Sequence, residues 1–271
     1  MKIFAIRDKK TNPNKDLAYL LYYEKEKRFY IELPENADAW ETPLLLDSFV
    51  KRGETTVNSY WSKRWVEQRI IPPDRQNIVE ILRDNHLKEY DEYELLMLAM
   101  GQCAQDDYFL VPMDEKLLPD AIIKRFSKRL EDVLPLEDSC LLAFFRDGAV
   151  KKCHLKNYFT ERHAFQILIK KPEYFKHVQI LTGGCGIAWD LNLTISDSAL
   201  YRLGKNIPLT ANDFRNFVAQ RIVNAAEAAE LLGCSKQNVA DLTNRGKLHP
   251  VKVSEKYTLY LKSEILKRNW Q

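Results

Sequence analysis

The stretch that most constrains the fold is NAAEAAELLGCSKQNVADLTN, residues 224–244. Asn224, followed three residues later by Glu227, has the pattern of a capping box, which begins a helix. Gly233 can adopt the left-handed conformation that ends a helix. Ser235 can then cap a second helix. The sequence therefore predicts two helices joined by a tight turn.

The second of these helices carries a polar face that a protein core does not require. At 100° per residue, Val239 and Leu242 point in one direction and are expected to face the core. The opposite face holds Gln237, Ala240, Asp241 and Asn244, and the cations Lys236 and Arg245 flank it. Amide side chains can hydrogen-bond to base edges, and cations can bind phosphates. The face therefore suits a nucleic-acid groove.

The chain beyond this helix predicts a basic β-hairpin and a final short helix. Hydrophobic and polar residues alternate over 251–253 and again over 257–261, on either side of a turn at Ser254–Lys256. Such alternation is typical of paired strands, and Ser263 then begins the last helix. Residues 221–271 hold nine Lys and Arg against five Asp and Glu. We therefore expect the positive charge to be concentrated in this last fifth of the chain.

As a whole, residues 221–266 resemble the winged helix-turn-helix of the MerR and excisionase group. The shared features are an AAELLG helix, a recognition helix that begins at a serine, an RGKL exit, a basic wing and a closing helix with the pattern S-x-I/L. The resemblance implies contacts with double-stranded DNA from Ser235, Lys236, Gln237, Asn244, Arg245, Lys252, Lys256 and Tyr257. Two further candidates are Lys247, which follows the helix, and Asp241, whose carboxylate can accept from a cytosine amino group but repels phosphate.

The middle of the chain predicts a small β-rich domain. A strand, an Asp147-Gly148 turn and a second strand have the pattern of a β-hairpin, and a glycine-rich turn at 183–186 follows. The segments FRDGAVKKCHL and PEYFKHVQILTGGCGIAWDLNLTISDSALYRLG resemble a bacterial family, the domain of unknown function 2442 (DUF2442). The resemblance implies the fold of this part. It implies no catalytic residues, because the family carries no established chemistry.

The N-terminal part predicts an α+β domain with two aromatic-rich strands around a charged turn at Glu24–Lys27. The segments YWSKRWVEQRIIPPDRQNIVEILRDN and LLMLAMGQCAQDDYFLVP are similar to the region that precedes the kinase core in some HipA-type proteins. Neither a kinase catalytic loop nor a glycine-rich phosphate loop occurs in the sequence. The resemblance therefore implies no kinase activity.

Together these patterns predict a multi-domain α+β protein with a small β-rich central domain and a C-terminal winged helix-turn-helix. The connecting helix is expected to place Ile122, Ile123, Phe126 and Leu130 near one face. An accessible linker is expected near Asn206–Ala211. The predicted parts are an N-terminal α+β domain at 1–113, a connecting helix at 114–132, the DUF2442-like domain at 133–210 and the winged helix-turn-helix at 211–271.

Motifs of catalysis and metal binding are weak in this sequence. Asp106 and Asp107 are adjacent, so on a strand their side chains would point to opposite faces. Cys153, His154 and His163 fit no zinc spacing. The GGCG stretch lacks the lysine and helix of a phosphate-binding loop. Tyr60, Trp61 and Trp65 are expected in the core rather than in a base-stacking platform. We expect no enzyme activity, no metal and no cofactor.

Cysteine usage and hydropathy indicate the compartment. The five cysteines are far apart and form no CxxC pair, which argues against a disulfide framework or a zinc ribbon. The first residues, MKIFAIRDKK, have no apolar signal core, and no apolar run approaches 18 residues. The sequence therefore predicts a cytoplasmic protein without a membrane span.

Two hypotheses of function remain open. In the first, the chain is a sequence-specific DNA-binding protein, a bacterial transcriptional regulator that acts as a homodimer, and its front domains serve for dimerisation or sensing. In the second, it is a non-enzymatic interaction protein, such as an antitoxin-like partner or an adaptor, and the helix-turn-helix binds a protein. The outward amides and surrounding cations favour the first hypothesis.

Overall fold

The structure of the protein is a computed structural model that describes residues 1–190, 193–206 and 211–268. The chain divides into two compact units, residues 1–123 and residues 124–271. Both units combine helices with small sheets. The predicted α+β, multi-domain fold class with a C-terminal helix-turn-helix region is confirmed.

The first unit is built on a five-stranded antiparallel sheet. Its strands are β1 (Lys2–Asp8), β2 (Ala18–Tyr23), β3 (Arg28–Glu32), β4 (Thr56–Val57) and β5 (Tyr108–Met113), in the order β4–β3–β2–β1–β5. The predicted strands on either side of Glu24–Lys27 are confirmed, because β2 pairs with β3 from Tyr19↔Glu32 to Tyr23↔Arg28. Strand β1, which pairs with both β2 and β5, was not predicted from the sequence.

Four short helices belong to this unit: α1 (Asp47–Lys51), α2 (Ser59–Glu67), α3 (Ile78–Asp84) and α4 (Glu92–Leu98). Trp65 of α2 is buried in the core with the side chains of the sheet. Tyr60 and Trp61 are 59% and 40% exposed. The expected core position is therefore confirmed for Trp65 and wrong for Tyr60 and Trp61, because only one side of this short helix is buried.

The second unit begins with two antiparallel sheets. One holds β6 (Leu130–Pro135), β7 (Cys140–Phe145), β8 (Val150–His154) and β12 (Lys205–Asn206), in the order β12–β8–β7–β6. The other holds β9 (Gln179–Ile180), β10 (Gly186–Ala188) and β11 (Thr194–Ser196), in the order β11–β10–β9. The predicted Asp147-Gly148 turn joins β7 to β8, and the positive φ of 83° at Gly148 suits a tight hairpin.

An aromatic core holds these sheets together with four helices. The helices are α6 (Lys156–Thr160), α7 (Gln166–Lys170), α8 (Pro172–Lys176) and α9 (Asp197–Leu203). The Trp189 ring stacks on Phe175, and its indole N–H donates to the Phe175 carbonyl at 2.8 Å. Gly184 has φ of 78°, and a Cβ there would lie 2.3 Å from the Leu130 carbonyl oxygen. The glycine-rich turn is therefore required for close packing against β6.

The connecting segment differs from the prediction of one helix over residues 114–132. Helix α5 spans only Asp120–Ser127, and Leu130 begins strand β6. Ile122 and Phe126 are buried as expected, whereas Ile123 is exposed. Leu130 and Asp132 pair with β7 on either side of a register shift, and such pairing with a distant strand overrides local helical spacing. The boundaries between the predicted domains remain a prediction.

The C-terminal elements follow the predicted order. They are α10 (Ala211–Arg221), β13 (Ile222–Asn224), α11 (Ala225–Leu232), α12 (Lys236–Asn244), β14 (Lys252–Val253), β15 (Thr258–Leu261) and α13 (Lys262–Lys267). The three strands form a sheet in the order β13–β15–β14. The linker expected near Asn206–Ala211 lies mostly outside the described residues, since 207–210 are not among them. Over the described ranges, no helix has both the length and the apolar character needed to cross a bilayer.

Helix α10 attaches the C-terminal elements to the sheet of β6, β7 and β8. Its Phe217 ring lies 5.1 Å from that of Phe144, and its buried Asp213 lies 3.8 Å from the Lys152 ammonium. At the end of α10, Arg221 Nε lies 3.0 Å from Asp132 Oδ1. This N–H is not aimed at the carboxylate, so the pair is held by charge attraction rather than by a directed hydrogen bond.

A second ion pair reinforces this attachment, since Lys267 of α13 contacts Glu131, the neighbour of Asp132 in β6. The C-terminal elements therefore contact strand β6 at two adjacent residues. Because these contacts come from both ends of the C-terminal region, we expect its orientation on the sheet to be fixed.

The stability of the second unit is expected to depend on the protonation of Asp132. Burial raises the pKa of Asp132 to about 6, although Arg221 attracts the carboxylate form. The folded state thus binds this proton more tightly than the unfolded state. The resulting stabilisation, about 3 kcal/mol for two pKa units, is present below pH 4 and is lost as the pH rises through 6.

Asp132→Asn removes the titrating group and should remove this pH dependence. The pH dependence of the free energy of unfolding can be measured by urea unfolding at several pH values between 4 and 7. Hydrogen exchange of the β7 amides is the probe of unfolding in these experiments. Equal pH dependence in both proteins would contradict the assignment.

Candidate nucleic-acid interface

The predicted helix-turn-helix is present with the predicted caps. Asn224 Oδ1 accepts from the Ala226 and Glu227 amides at 2.8 and 3.1 Å, and Glu227 Oε2 accepts from the Asn224 amide at 2.7 Å. Gly233 has φ of 62° and ends α11 in the left-handed conformation. Ser235 Oγ accepts from the Asn238 amide at 3.2 Å and begins α12. Local hydrogen bonds therefore fix both helices and the turn between them.

A compact core holds the two helices against the C-terminal sheet. It contains Val223, Ala228, Ala229, Val239, Leu248, Tyr260 and Ile265. The buried alanines of α11 allow α12 to approach closely, and Val239 of α12 is fully buried. The hydroxyls of Thr243 and Tyr260 are 2.9 Å apart and join α12 to β15. The core thus fixes which face of α12 points outward.

That outward face carries the residues expected from the sequence. Gln237, Ala240, Asp241 and Asn244 are all exposed, and Ser235 is exposed at the helix start. Asn238, which was not among the predicted residues, is also exposed and lies on the Arg245 side of the helix. Its position 100° from Val239 could have indicated this. The face therefore presents three amide side chains to solvent.

The candidate cations of α12, of the turn that follows it and of the hairpin are exposed and unneutralised. They are Lys236, Arg245, Lys247, Lys252 and Lys256. Within the part of the chain that the structure describes, none of the five lies within 4 Å of a carboxylate. By contrast, Arg221 and Lys267 of the same C-terminal region are both in ion pairs. The five cations can therefore bind phosphates without first breaking an ion pair.

The hairpin of β14 and β15 has the predicted turn. Ser254 Oγ accepts from the Tyr257 amide at 3.1 Å, and Lys256 is exposed at the tip. The Lys252 ammonium lies 5.9 Å from the centre of the Tyr257 ring. The buried side chain of β15 is Tyr260, which lies between the residues whose alternation predicted the strand. Both valines at 251 and 253 are exposed.

Helix α13 fixes the turn that leads from α12 to the hairpin. Glu264 Oε1 accepts from the His249 amide at 2.9 Å and lies 2.8 Å from His249 Nδ1. Arg268 Nη1 donates to the Lys247 carbonyl at 2.8 Å. These contacts position Lys247 beside α12. The roles of Glu264 and Arg268 could not be predicted from the sequence, because their partners are more than ten residues away.

The other candidate groups are not brought together. Asp106 pairs with Arg69, whereas Asp107 lies 2.7 Å from the Lys10 ammonium. Cys153 is buried in the core, and the neighbouring His154 is exposed with its Nδ1 at 3.0 Å from Cys140 Sγ. Among residues 1–190, 193–206 and 211–268, no group of three or more His, Cys, Asp or Glu could hold a metal ion.

Comparison with known families identifies two segments of the chain. Residues 222–268 match the model of a helix-turn-helix domain. Residues 130–206 match the model of a protein family of unknown function, DUF2442. No curated protein and no solved structure matches the chain. Two of the three resemblances seen in the sequence are thus confirmed: a segment similar to DUF2442 is followed by a C-terminal helix-turn-helix domain. The similarity of the N-terminal part to the region that precedes HipA-type kinases stays a prediction.

Proposed function

We propose that the chain is a sequence-specific binder of double-stranded DNA that acts as a bacterial transcriptional regulator. The observation that carries the proposal is the exposed amide face of α12, together with five exposed, unneutralised cations on α12, just after it and on the hairpin. Amides such as Gln237 and Asn244 suit the major-groove edge of adenine, and cations suit the phosphates on either side. In this proposal, α12 enters the major groove and the basic hairpin acts as a wing along the backbone.

The proposal includes a homodimer. A single helix of nine residues offers few base contacts, and useful affinity commonly requires two copies on two half-sites. Residues 1–123 would then serve for dimerisation or sensing. The proposal includes no catalytic activity and places the protein in the cytoplasm.

Selection of duplexes from a random pool by the full-length protein tests this function. We expect enrichment of a site with two repeated or inverted half-sites, each covering the few base pairs that one helix can read. As a control, the variant Gln76→Ala lacks an exposed amide of the first unit. It should select the same site as the unaltered chain. Binding without enrichment of any sequence would contradict sequence-specific recognition.

One observation favours the alternative, a protein partner for the helix-turn-helix. Val251 and Val253 are 59% and 67% exposed on the hairpin, and contact with a phosphate backbone does not require them. In that case, no duplex would be enriched. A protein partner would be released by Val251→Ser with Val253→Ser but not by Lys252→Ala. If instead the double serine variant selects the same DNA site as the unaltered chain, the DNA proposal is favoured.

A further inference from the structure

An aromatic ring of the DUF2442-like part is flanked by two cations, one from the same part and one from the connecting segment just before it. Tyr201 of α9 packs edge-on against Phe145, with the ring centres 4.8 Å apart, and its hydroxyl donates to Asp147 Oδ2 at 2.9 Å. The Lys151 and Lys128 ammonium nitrogens lie 4.2 and 5.1 Å from the centre of the Tyr201 ring. We call Lys128, Lys151 and Tyr201 the Tyr201 patch.

Electrostatics favours an anion at this patch. Both ammonium groups are held near the negative face of one ring, so two like charges lie within about 10 Å of each other. Neither forms an ion pair with a carboxylate of the described residues. The neighbouring Asp147 accepts from the Tyr201 hydroxyl and from the Ala149 amide instead. A phosphate group could relieve the repulsion between the two lysines.

The distribution of charge indicates a long polyanion rather than a single small ion. Residues 124–206 contain 14 Lys and Arg against nine Asp and Glu, whereas residues 1–123 contain 17 against 23. The expectation that positive charge is concentrated in the last fifth is therefore incomplete, because residues 124–206 are also basic. Four of their cations lie in the connecting segment 124–129 and ten lie in the DUF2442-like residues 130–206. Duplex DNA carries one negative charge for about every 1.7 Å of its axis, so it offers phosphates at many positions.

The Tyr201 patch and the helix-turn-helix belong to the same compact unit. Helix α10 and the ion pairs of Asp132 and Glu131 attach one to the other. A duplex that binds both surfaces therefore meets a pre-arranged set of cations. Pre-arrangement of this kind lowers the entropic cost of a second contact.

We propose that the Tyr201 patch is a second DNA-binding surface, at which Lys128 and Lys151 contact backbone phosphates of the duplex held by the helix-turn-helix. The inference rests on the proposed function. It extends that function by assigning a direct role in DNA binding to Lys151 of the DUF2442-like part and to Lys128 just before it. The contact is made with the backbone, so it contributes affinity without sequence preference.

The test measures binding of the full-length chain to a random-sequence duplex of about 40 base pairs over a range of salt concentrations. The variant Lys128→Ala with Lys151→Ala should weaken binding and lower the slope of log K against log salt by about 2, one unit for each lost phosphate contact. The matched control, Lys170→Ala with Lys171→Ala, removes the same charge from two exposed lysines of the same part. It should leave the slope unchanged.

A third variant separates this inference from the function on which it rests. If Arg245→Ala weakens binding while the Lys128 and Lys151 variant does not, the proposed function stands and the second surface is wrong. If the two double-lysine variants lose the same DNA affinity, the effect is general charge attraction, and the second DNA-binding surface is also wrong. If the Lys128 and Lys151 variant loses affinity only for single-stranded RNA of the same length, the surface binds RNA and the DNA contact is rejected. Absence of DNA binding by the unaltered chain would reject both proposals.

Discussion

Raising the salt concentration from about 50 to about 200 mM is expected to weaken DNA binding by at least about 250-fold. Lys236, Arg245, Lys247 and the two hairpin lysines, Lys252 and Lys256, have no carboxylate partner in the described ranges. Each can therefore release one counterion from the duplex. Five phosphate contacts give a slope of log K against log salt of roughly −4 to −5. The Tyr201 patch would make the slope steeper by about 2.

Fluorescence anisotropy of a labelled duplex at several salt concentrations measures this slope. Lys236→Gln with Lys247→Gln should lower its magnitude by about 2. Lys88→Ala with Lys116→Ala, which removes two exposed lysines of the first unit, is the matched control and should leave it unchanged. A flat response to salt would exclude binding through these cations, whatever the affinity.

The helix-turn-helix could be predicted because its signals are local. The capping box joins Asn224 to Glu227, three residues apart, and the Ser235 cap joins residues equally close. Gly233 is required by backbone conformation alone, since a Cβ there would meet nothing within 4 Å. Val239 then fixes the buried face, so the exposed positions of Gln237 and Asn244 follow from helical geometry.

Features that depend on distant partners could not be predicted in this way. Asp132 and Arg221 are 89 positions apart, and no local pattern shows that β6 receives the end of α10. Leu130 continues a helical spacing, but pairing with β7 places it in a strand. On the hairpin, the alternation of hydrophobic and polar residues does not show which side of the strand is buried. The contact of Tyr260 with Thr243, 17 residues away, lies on that buried side.

The charge pattern was only partly predictable for a related reason. Counting charges along the sequence showed that the C-terminal fifth is basic, but a count does not show which cations are neutralised. Lys267 and Arg221 are in ion pairs, while Arg245 is not. Lys128 and Lys151 are far apart in sequence, and only the fold places both beside Tyr201.

Separate substitutions on α12 and on the hairpin are expected to distinguish base recognition from backbone binding. Gln237 is exposed on α12, and its amide can form two hydrogen bonds with adenine, worth about 1–3 kcal/mol of discrimination. Gln237→Ala should therefore lower the preference for the selected site by about 5- to 150-fold, while binding to random DNA remains nearly unchanged. Asn244→Ala should behave similarly at another base position of the half-site.

Lys252 lies on the hairpin beside Tyr257, with no carboxylate partner among the residues described. In the proposed arrangement its ammonium contacts only phosphate. Lys252→Ala should therefore weaken binding to selected and random duplexes by the same factor and lower the salt slope by about one. Competition between the selected duplex and random DNA measures the preference, and titration of each duplex alone measures the affinity.

The two substitutions are thus expected to have opposite effects: Gln237→Ala changes the sequence preference but not the general affinity, and Lys252→Ala changes the general affinity but not the preference. If Lys252→Ala changes the sequence preference, the hairpin reads bases and the assignment of roles is wrong. If a dimer holds two half-sites, Gln237→Ala should relax both half-sites symmetrically, because the same residue enters each of them. Relaxation of only one half-site would contradict the homodimer. If neither substitution alters DNA binding and no site is enriched, the exposed face of α12 serves a protein partner.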